Sequence, residues 1–344
     1  MRRSCGGQGS KERSSGMDER MKNMVTVAIV GVGGMGRTHL NNLRKMPNVR
    51  IDSICDRNPA IAALANQLQA RYYKDLPDML KDTKADIVLI FTPTFLHTQQ
   101  IEAVLRSGRH CITEKPICLS SGEARKLFAL SREVDRHLYV AQVLHFYPEY
   151  RILSKILQDG QYGRLIDAAF YRLSERPKWL TGNWLFDPQK SGLIPYDLHI
   201  HELDFIISHF GRPKTACRQM DASAHLQQEH YRFLYGYEGF TVCAEASWYN
   251  APIPFTQQYR LYFEKAVVML ENGTITVYES NVPHKQVLFT AEATSNLTEI
   301  NVTSAIPYQA ELEHFFQCIE ENRESDIVRT ENVLAVLETI ESLV

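Results

Sequence analysis

The stretch VTVAIVGVGGMG, residues 25–36, decides the fold of this chain. Its apolar first half predicts a buried strand that runs directly into the pattern Gly31-x-Gly33-x-x-Gly36, and the segment RTHLNNLRK that follows has the spacing of a helix. A dinucleotide site needs these glycines, because Gly31 permits a sharp turn, Gly33 lets a pyrophosphate approach the backbone, and Gly36 lets the helix pack on the strand. The alternative is a glycine-rich turn without a ligand in a doubly wound sheet.

An acidic residue supports the dinucleotide interpretation. Asp56 closes the strand-like run VRIDSIC and lies about 20 residues after Gly36, where a carboxylate can accept a hydrogen bond from a ribose 2′-hydroxyl. The same negative charge would repel a 2′-phosphate, which favours NAD as the cofactor. Arg57 could instead stack on the adenine or hold a 2′-phosphate, so NADP stays open.

The composition is that of an ordinary globular protein. The 344 residues suggest about two domains, and 44% hydrophobic with 23% charged residues provides an ample core. A formal net charge of −2 gives no reason to expect nucleic acid or an anionic membrane as a partner, and no apolar run is long enough to span a bilayer. Seven cysteines without a CxxC pair predict reduced thiols in a cytoplasmic protein rather than disulfides or a zinc site.

The first 23 residues differ from the rest of the chain. They are rich in Gly, Ser and Arg and lack the apolar centre of a signal peptide. We expect residues 1–23 to be a disordered tail or the product of a misassigned start, with Met17, Met21 or Met24 as alternative first residues.

Residues 24–144 are predicted to form a dinucleotide-binding domain of α/β Rossmann type. Strand-like and helix-like segments alternate in this region, which implies a doubly wound parallel sheet with helices on both faces. The segment NPAIAALANQLQARY is predicted to be one helix, and ADIVLIF a buried strand. Ligands of such sheets bind beyond the carboxyl ends of the strands. The loops expected at that edge follow Val30, Cys55, Phe91 and Thr113.

Residues 145–344 are predicted to form an α+β domain that binds the substrate and mediates oligomerisation. Segments rich in Tyr, Phe, Val and Thr, such as YRFLYGYEG and FTVCAEASWYN, follow one another, with hairpin turns predicted at Glu238-Gly239 and Asn272-Gly273. This pattern indicates a large, mostly antiparallel open sheet, interrupted by the helix IHELDFIISHF. Two C-terminal helical segments can pack back on the first domain.

The motif Glu114-Lys115-Pro116 follows a predicted strand at the ligand edge of the parallel sheet. A lysine at that position can reach a bound substrate. The alternative is a solvated loop lysine, and the three residues alone do not decide between these interpretations.

A second polar cluster lies in the segment YDLHIHELD. If Asp197 opens a helix, Asp197 and His201 share one face, and a carboxylate beside an imidazole can orient it as a base. The alternative is a polar face on an interdomain helix, with Asp204 in an ion pair or cap. A metal site made of His199, His201 and Glu202 is disfavoured, because residues two apart diverge on a helix.

Together these pieces resemble the Gfo/Idh/MocA oxidoreductases, the glucose–fructose oxidoreductase and inositol dehydrogenase group. The resemblance runs from about Val25 onward and rests on the order and spacing of six pieces: AIVGVGGMG, the strand-end Asp56, FTPTFLH followed by a helix, RHCITEKPICLS, the Gly160-x-x-Gly163 turn and YDLHIHELD. It implies NAD(P)-dependent hydride transfer between the nicotinamide and a hydroxyl or ketone of a sugar, polyol or inositol-like compound.

The resemblance also implies roles for particular residues. Lys115 matches the active-site lysine of the family, and Asp197 and His201 match its Asp-x-x-x-His pair, with His201 as the acid/base. Pro116 matches a proline that is cis in such proteins. The expected cofactor-binding residues are Gly31, Gly33, Gly34, Met35, Gly36, Asp56, Arg57, Thr92, Pro93, His97, Glu114 and Lys115. The expected substrate-binding residues are Lys115, His145, Asp197 and His201, and no metal is expected.

Three departures from the family pattern concern the substrate and the chain end. Ser191-Gly192 stands where a Gly-Gly run is usual, with Pro195 close to the site, and His145 stands where an arginine is common. These changes leave the substrate's identity open. Relatives usually continue to a last strand, so we expect the native chain to continue beyond Val344.

The leading hypothesis is a sugar or polyol dehydrogenase in which His201 handles the hydroxyl proton and Lys115 steadies the developing oxyanion. One alternative is a non-catalytic, nucleotide-binding regulator of the same fold, and another is an NAD-requiring glycosidase. A homodimer or homotetramer is also expected, because the sheet of the second domain should expose one face rich in Tyr, Phe and Val, and relatives pair such sheets between subunits.

Overall fold

The computed structural model describes residues 24–178, 182–223, 228–291 and 304–344. The tail predicted over residues 1–23 lies outside these described residues. No helix in the described part of the chain is long and apolar enough to cross a membrane.

The first half of the chain forms a six-stranded parallel sheet with the order β3-β2-β1-β4-β5-β6. Its strands are β1 (Val25–Val30), β2 (Val49–Cys55), β3 (Arg71–Tyr73), β4 (Ile87–Ile90), β5 (His110–Thr113) and β6 (Leu138–Val140). The connecting helices are α1 (Gly34–Leu43), α2 (Ile61–Gln67), α3 (Leu76–Asp82), α4 (His97–Arg106) and α5 (Ser121–Glu133). The predicted doubly wound Rossmann sheet is therefore confirmed, and the strand order reverses between β1 and β4, where such sheets bind ligands.

One predicted helix in this domain is too long. The prediction carried the helix of NPAIAALANQLQARY through Tyr72, whereas α2 ends at Gln67 and Arg71–Tyr73 forms the edge strand β3. Gln69 adopts a left-handed conformation with φ 56°, which ends the helix. The Arg71 guanidinium then donates to the Asp52 carboxylate on β2 at 2.6 Å, so pairing with β2 outweighs the helical spacing.

The second half of the chain begins with α6 (Pro148–Asp159), which leads into an eight-stranded sheet with the order β14-β13-β12-β11-β7-β10-β9-β8. Its strands are β7 (Leu165–Glu175), β8 (Thr215–Ser223), β9 (Gln228–Gly236), β10 (Thr241–Tyr249), β11 (Thr256–Phe263), β12 (Ala266–Glu271), β13 (Thr274–Glu279) and β14 (Gln286–Thr290). Only the β7–β10 pairing is parallel among the described strands of this sheet, so the mostly antiparallel open sheet is confirmed.

The remaining helices join the two sheets. They are α7 (Pro188–Ser191), α8 (Ile200–Phe210), α9 (Ile306–Glu320) and α10 (Thr330–Glu341). A π-helical turn, Pro195–His199, runs straight into α8. The helix α9 packs against α1, and α10 packs against α5 and α8.

The hairpin turn predicted between β12 and β13 is confirmed. Asn272 and Gly273 take positive φ angles of 48° and 74°, the geometry of a two-residue turn that matches the twist of the strands. The Glu238-Gly239 turn between β9 and β10 is also present and is closed by the hydrogen bond from the Tyr237 N–H to the Phe240 carbonyl at 3.0 Å.

The aromatic residues of the second sheet face inward rather than outward. Tyr231, Phe233 and Tyr235 on β9 are 5%, 0% and 0% exposed, and Phe233 stacks on His199 from the turn before α8. The prediction that these aromatics form the open face is therefore wrong, because strand alternation places them under the helices. The open face instead carries scattered apolar side chains such as Leu234 and Tyr262 among charged ones.

Candidate active site

A cavity of about 360 Å³ lies at the carboxyl edge of the parallel sheet and is shared by both halves of the chain. From the first half, it is lined by Gly33, Gly34, Met35, Phe91, Thr92, Pro93, Thr94, Glu114, Lys115, Ala141, Val143 and Leu144. From the second half, it is lined by Tyr147, Arg172, Pro177, Trp184, Leu185, Asp197, Leu198, His201, Trp248, Phe255, Gln257 and Tyr308. The two motifs that the sequence singled out, around Lys115 and around Asp197, thus meet at one cavity.

The glycines of the first loop differ in what surrounds them. A Cβ on Gly31, where φ is +89°, would lie 2.9 Å from the Phe91 carbonyl oxygen, and a Cβ on Gly36 would overlap the Gly31 carbonyl oxygen. At Gly33 no described atom would come within 4 Å of a Cβ. Among the described residues no side chain caps the N-terminus of α1, which begins at Gly34, so its first N–H groups are available to an anion. This open cradle fits a dinucleotide pyrophosphate.

Asp56 lies at the end of β2, as predicted, and supports the glycine loop. Its carboxylate accepts the N–H of Val32 at 2.7 Å and the N–H of Asn58 at 2.7 Å. The neighbouring Arg57 is exposed. Neither Asp56 nor Arg57 lines the cavity, but Asp56 contacts the glycine loop through Val32, on the side where such folds hold the ribose of a dinucleotide.

Lys115 reaches across the cavity to the second half of the chain. Its Nζ donates to the backbone carbonyl of Asp197 at 2.7 Å and to the Asp197 carboxylate at 3.1 Å. The Lys115 side chain is 14% exposed and that of Asp197 is 26% exposed, so the ion pair is accessible from the cavity. The Lys115–Pro116 peptide bond is cis, as the resemblance implied.

His201 also faces this cavity, and it is neutral. Burial, followed by the charges of Lys115 and Arg172, holds the pKa of His201 well below its ordinary value. Its Nδ1 is buried and has no hydrogen-bond partner among the described residues. The expected orienting bond from Asp197 is not formed, because Asp197 lies in the π-helical turn and its carboxylate pairs with Lys115.

Glu114 is buried beside Lys115 at the cavity wall. Its Oε1 lies 2.8 Å from Nε2 of His39 on α1, and its Oε2 accepts the Lys115 N–H at 3.2 Å. Burial alone would raise the pKa of Glu114, but the hydrogen bond to His39 and the Lys115 charge outweigh it and hold that pKa below its ordinary value. Glu114 is therefore a buried, ionised carboxylate in the lining of the cavity.

The loop after β4 contributes Thr92 and Pro93 to the cavity, but His97 lies behind it. The two ring nitrogens of His97 each lie 2.8 Å from a backbone carbonyl, that of Pro116 and that of Thr92. Burial lowers the pKa of His97, so the neutral ring donates one hydrogen bond at a time. His97 therefore ties the two loops together rather than touching a ligand.

The structure does not bring His145 into the cavity lining. Its Nε2 lies 2.6 Å from the Asp204 carboxylate, and both side chains are almost fully buried, at 7% and 2% exposure. This contact joins the 3₁₀ turn Val143–Phe146 to α8. The residue predicted to bind substrate thus fills a packing position behind the site.

Sequence reasoning missed several residues of the cavity. The main ones are Arg172, Trp184, Trp248, Phe255, Gln257 and Tyr308. Arg172 carried a detectable signal, since it alternates with Ala168 and Phe170 on the buried face of β7, where a charged residue needs a partner. The others come from distant segments, and only the tertiary fold brings them together.

Metal binding finds no support in the described residues. No group of three or more His, Cys, Asp or Glu side chains among them is arranged to hold an ion. His199 lies 2.6 Å from the Tyr235 hydroxyl and stacks on Phe233, so it points into the second sheet, while His201 faces the cavity.

Comparison with known proteins identifies the class to which this fold and cavity belong. Residues 25–142 match a model described as an oxidoreductase family with an NAD-binding Rossmann fold, and residues 150–269 match the Gfo/Idh/MocA C-terminal domain. The protein is thus an oxidoreductase-family member with an NAD-binding fold. It belongs to the Gfo/Idh/MocA family, as the sequence motifs implied.

Individual relatives are distant. An inositol 2-dehydrogenase/D-chiro-inositol 3-dehydrogenase of Lactiplantibacillus plantarum is 29% identical over 185 residues, which is 52% of this chain and 50% of that protein. The chain thus spans about half the length of the relatives it matches. An oxidoreductase from Agrobacterium radiobacter, solved with NAD+, L-tartaric acid and magnesium, superposes with a TM-score of 0.81 at 18% identity over 93% of this chain and 95% of that one.

A levoglucosan dehydrogenase solved with NADH and levoglucosan has a TM-score of 0.80 at 17% identity, covering 93% of this chain and 96% of that one. At these identities the structural likeness shows the shared fold. The substrate of this chain has to be inferred from its own residues.

Proposed function

We propose that this protein is an NAD(P)-dependent dehydrogenase that oxidises a CH–OH group of a sugar, polyol or inositol-like compound, or reduces the matching ketone. One observation supports this most. The Lys115–Asp197 ion pair and the neutral His201 line the same cavity as the glycine loop that fits a pyrophosphate. A cation, a carboxylate and an unprotonated imidazole are the groups that hydride removal from an alcohol needs around the reacting carbon.

The bound nicotinamide supplies the hydride acceptor, and the residues of this chain manage the proton and the charge. His201 is uncharged at neutral pH, so it can accept the hydroxyl proton as the hydride leaves. The ammonium of Lys115 then stabilises the negative charge that develops on the oxygen. Asp197 holds that ammonium at 3.1 Å and, with the backbone carbonyl, fixes its position.

NAD is the proposed cofactor, with NADP as the alternative. The Asp56 carboxylate is anchored by two backbone N–H groups, one of them in the glycine loop, and this fixed negative charge supports the proposal because it would repel a 2′-phosphate bound beside it. We expect NADH to bind at least tenfold more tightly than NADPH in a fluorescence titration. Equal affinity for the two cofactors, or a preference for NADPH, would contradict the proposal and would indicate that Arg57 binds the 2′-phosphate.

The activity is tested with a panel of inositols, hexoses and sugar acids, following NADH at alkaline pH. Lys115→Ala and His201→Ala should each lose at least a hundredfold in kcat while still binding NADH. Lys155→Ala and His137→Ala are matched controls outside the cavity and should keep the parent rate. Parent-like turnover in the double variant would refute the assignment.

The same assay separates the two alternatives. A regulator would bind NADH yet turn over no member of the panel. An NAD-requiring glycosidase would release a free sugar from a glycoside without net formation of NADH.

We further propose a homodimer or homotetramer formed through the open face of the second sheet. Tyr262 on β11 and Tyr278 on β13 both pair with Val267 of β12, so these two tyrosines, each 45% exposed, form an adjacent apolar pair on this face, and Leu234 and Val287 add 47% and 51% exposed side chains on other strands. Light scattering should give a multiple of 39.5 kDa. Tyr262→Glu should shift the protein toward the monomer, and a parent that is already monomeric would contradict the proposal.

We also propose a cytoplasmic location. The cysteines of the described part of the chain are all free thiols, and Cys55, Cys111, Cys118 and Cys318 are buried. Free buried thiols suit a reducing compartment.

A further inference from the structure

Besides Lys115 and His201, the cavity is lined by several aromatic and apolar side chains of the second half of the chain. Trp184, Leu185, Trp248 and Phe255 contribute to this lining. Trp248 is 2% exposed and is held by an edge-to-face contact with Phe186, with ring centroids 5.6 Å apart. We call Trp184, Leu185, Trp248 and Phe255 the aromatic wall. A hydroxyl pressed against it would lose water without gaining a full set of hydrogen bonds, whereas a C–H face or an apolar group would be well accommodated.

Arg172, a cationic residue of the cavity lining next to the aromatic wall, is already paired with a carboxylate. Nε of Arg172 donates to both carboxylate oxygens of Glu202, at 2.9 and 2.8 Å, and both side chains are buried, at 8% and 2% exposure. Its Nη2 donates to the Gln257 amide oxygen at 3.2 Å, and its Cζ lies 5.5 Å from the centre of the Phe255 ring. The Arg172 guanidinium is therefore fixed in place, and the Glu202 carboxylate balances its charge.

The other cation that lines the cavity is paired as well. Among the described lining residues the cationic side chains are Lys115 and Arg172, and Lys115 is bonded to the Asp197 carboxylate. Glu114 adds a further ionised carboxylate to the cavity lining. A carboxylate or phosphate on the substrate would meet no unpaired cation among these residues and would lose its hydration without compensation.

We propose that the aromatic wall and the Arg172–Glu202 pair select an uncharged substrate, which places its apolar face or group against Trp248 and Phe255. This inference rests on the proposed function and names the substrate class that the site would take. Arg172 then acts as a positioned donor to a neutral hydroxyl or ring oxygen, because Glu202 cancels the charge that would otherwise favour an acid. Glu202 is the specificity-determining residue that acts through Arg172.

The test compares hexoses, the matching hexuronates and the matching phenyl glycosides as probes. Saturation-transfer NMR on the enzyme–NADH complex measures their binding without turnover, and NADH formation measures kcat/KM. The parent should bind the hexose or its phenyl glycoside at least tenfold more tightly than the uronate. The phenyl protons should show the strongest transfer, because they lie against the wall.

Glu202→Gln keeps the shape of the side chain and an acceptor for Arg172 but leaves the guanidinium charge unbalanced. It should raise the affinity for the uronate relative to the hexose at least tenfold. Asp204→Asn is the matched control, because it neutralises another buried carboxylate of α8 that pairs with His145 outside the cavity. This control should leave the ratio unchanged. Phe255→Ala removes part of the aromatic wall without creating a buried charge and should weaken phenyl glycoside binding at least tenfold. This variant tests the proposal independently if Glu202→Gln does not fold.

The outcomes separate the two proposals. Equal or tighter binding of the uronate by the parent would overturn the selection of an uncharged substrate, and so would the absence of binding by every neutral probe. If neutral probes bind preferentially but none is oxidised, the dehydrogenase proposal fails while the selectivity of the cavity stands.

Discussion

Replacing Gly36 and Gly33 of the first loop one at a time should separate an effect on stability from an effect on cofactor binding. At Gly36 a Cβ would overlap the Gly31 carbonyl oxygen and stand 3.0 Å from its carbonyl carbon. The overlap with the oxygen is the limiting contact: an ordinary carbon–oxygen contact needs about 3.3 Å, so α1 would have to move by roughly 1 Å. Overpacking of this kind destabilises by about 1–3 kcal/mol, and the better helix propensity of alanine offsets at most about 1 kcal/mol.

Gly33→Ala should behave in the opposite way. Gly33 has φ −75° and ψ −156°, an extended conformation that alanine adopts freely, and no described atom would lie within 4 Å of the new Cβ. The variant should therefore melt within about 1 °C of the parent. The methyl group would occupy the space that a pyrophosphate needs, so NADH should bind at least tenfold more weakly, or about 1.4 kcal/mol.

The assay for both variants is thermal unfolding without cofactor, together with an NADH fluorescence titration. Gly36→Ala should lower the melting temperature by roughly 2–6 °C. Gly122→Ala in α5 is the matched control, because its Cβ would make only an ordinary contact, 3.5 Å from the Ser120 hydroxyl. If Gly33→Ala binds NADH like the parent, or unfolds like Gly36→Ala, the assignment of the pyrophosphate to this loop is refuted.

Three further predictions concern His199, His145 and Gly192. Burial lowers the pKa of His199 to about 3, so between that value and its ordinary 6.5 the unfolded state binds a proton that the folded state does not. The free energy of unfolding should therefore fall by about 2 kcal/mol per such histidine from pH 7 to pH 5, and His199→Gln should flatten this pH dependence in urea titrations. His145→Asn breaks the 2.6 Å contact with Asp204 and should lower the free energy of unfolding by about 1–3 kcal/mol. The KM for the substrate should change less than twofold. A larger change in KM would indicate that His145 contacts the substrate after all. Gly192→Ala is strained at φ +69° and collides with the Tyr196 ring, so its melting temperature should fall, and a parent-like value would show that this loop adapts.

The glycine loop and the strands around it could be read from the chain because their rules are local. A strand buried on both faces must be apolar throughout, as β4 is, and a turn between strand and helix with φ +89° at Gly31 favours glycine. The ligand edge then follows, since the carboxyl ends of parallel strands share one side of the sheet. Lys115 could thus be assigned to the ligand edge from the chain itself, whereas His201 was joined to the same site only by the resemblance to the family.

Interactions between distant segments were not readable in this way. The π-helical turn Pro195–His199 gives the Asp197 carboxylate to Lys115 rather than to His201, a choice set by the position of β5 and not by the spacing of the two residues. The helical spacing of the sequence likewise predicted α2 to continue through the segment that forms β3. Local spacing could not show this, because β3 is stabilised by pairing with β2, which is distant along the chain.

The sequence by itself determined the Rossmann half, the cofactor loop and the family, because these depend on short patterns whose chemistry is fixed by neighbours along the chain. Only the tertiary structure decided which side chains face the substrate. In the folded chain His145 contacts Asp204 and not the cavity. Arg172, Trp248 and Phe255 come from three different strands and loops and line the cavity together. The physical reason is that a side chain's partner is set by which elements pack together, and burial then requires each charge to find its counterpart there, as Arg172 does in Glu202.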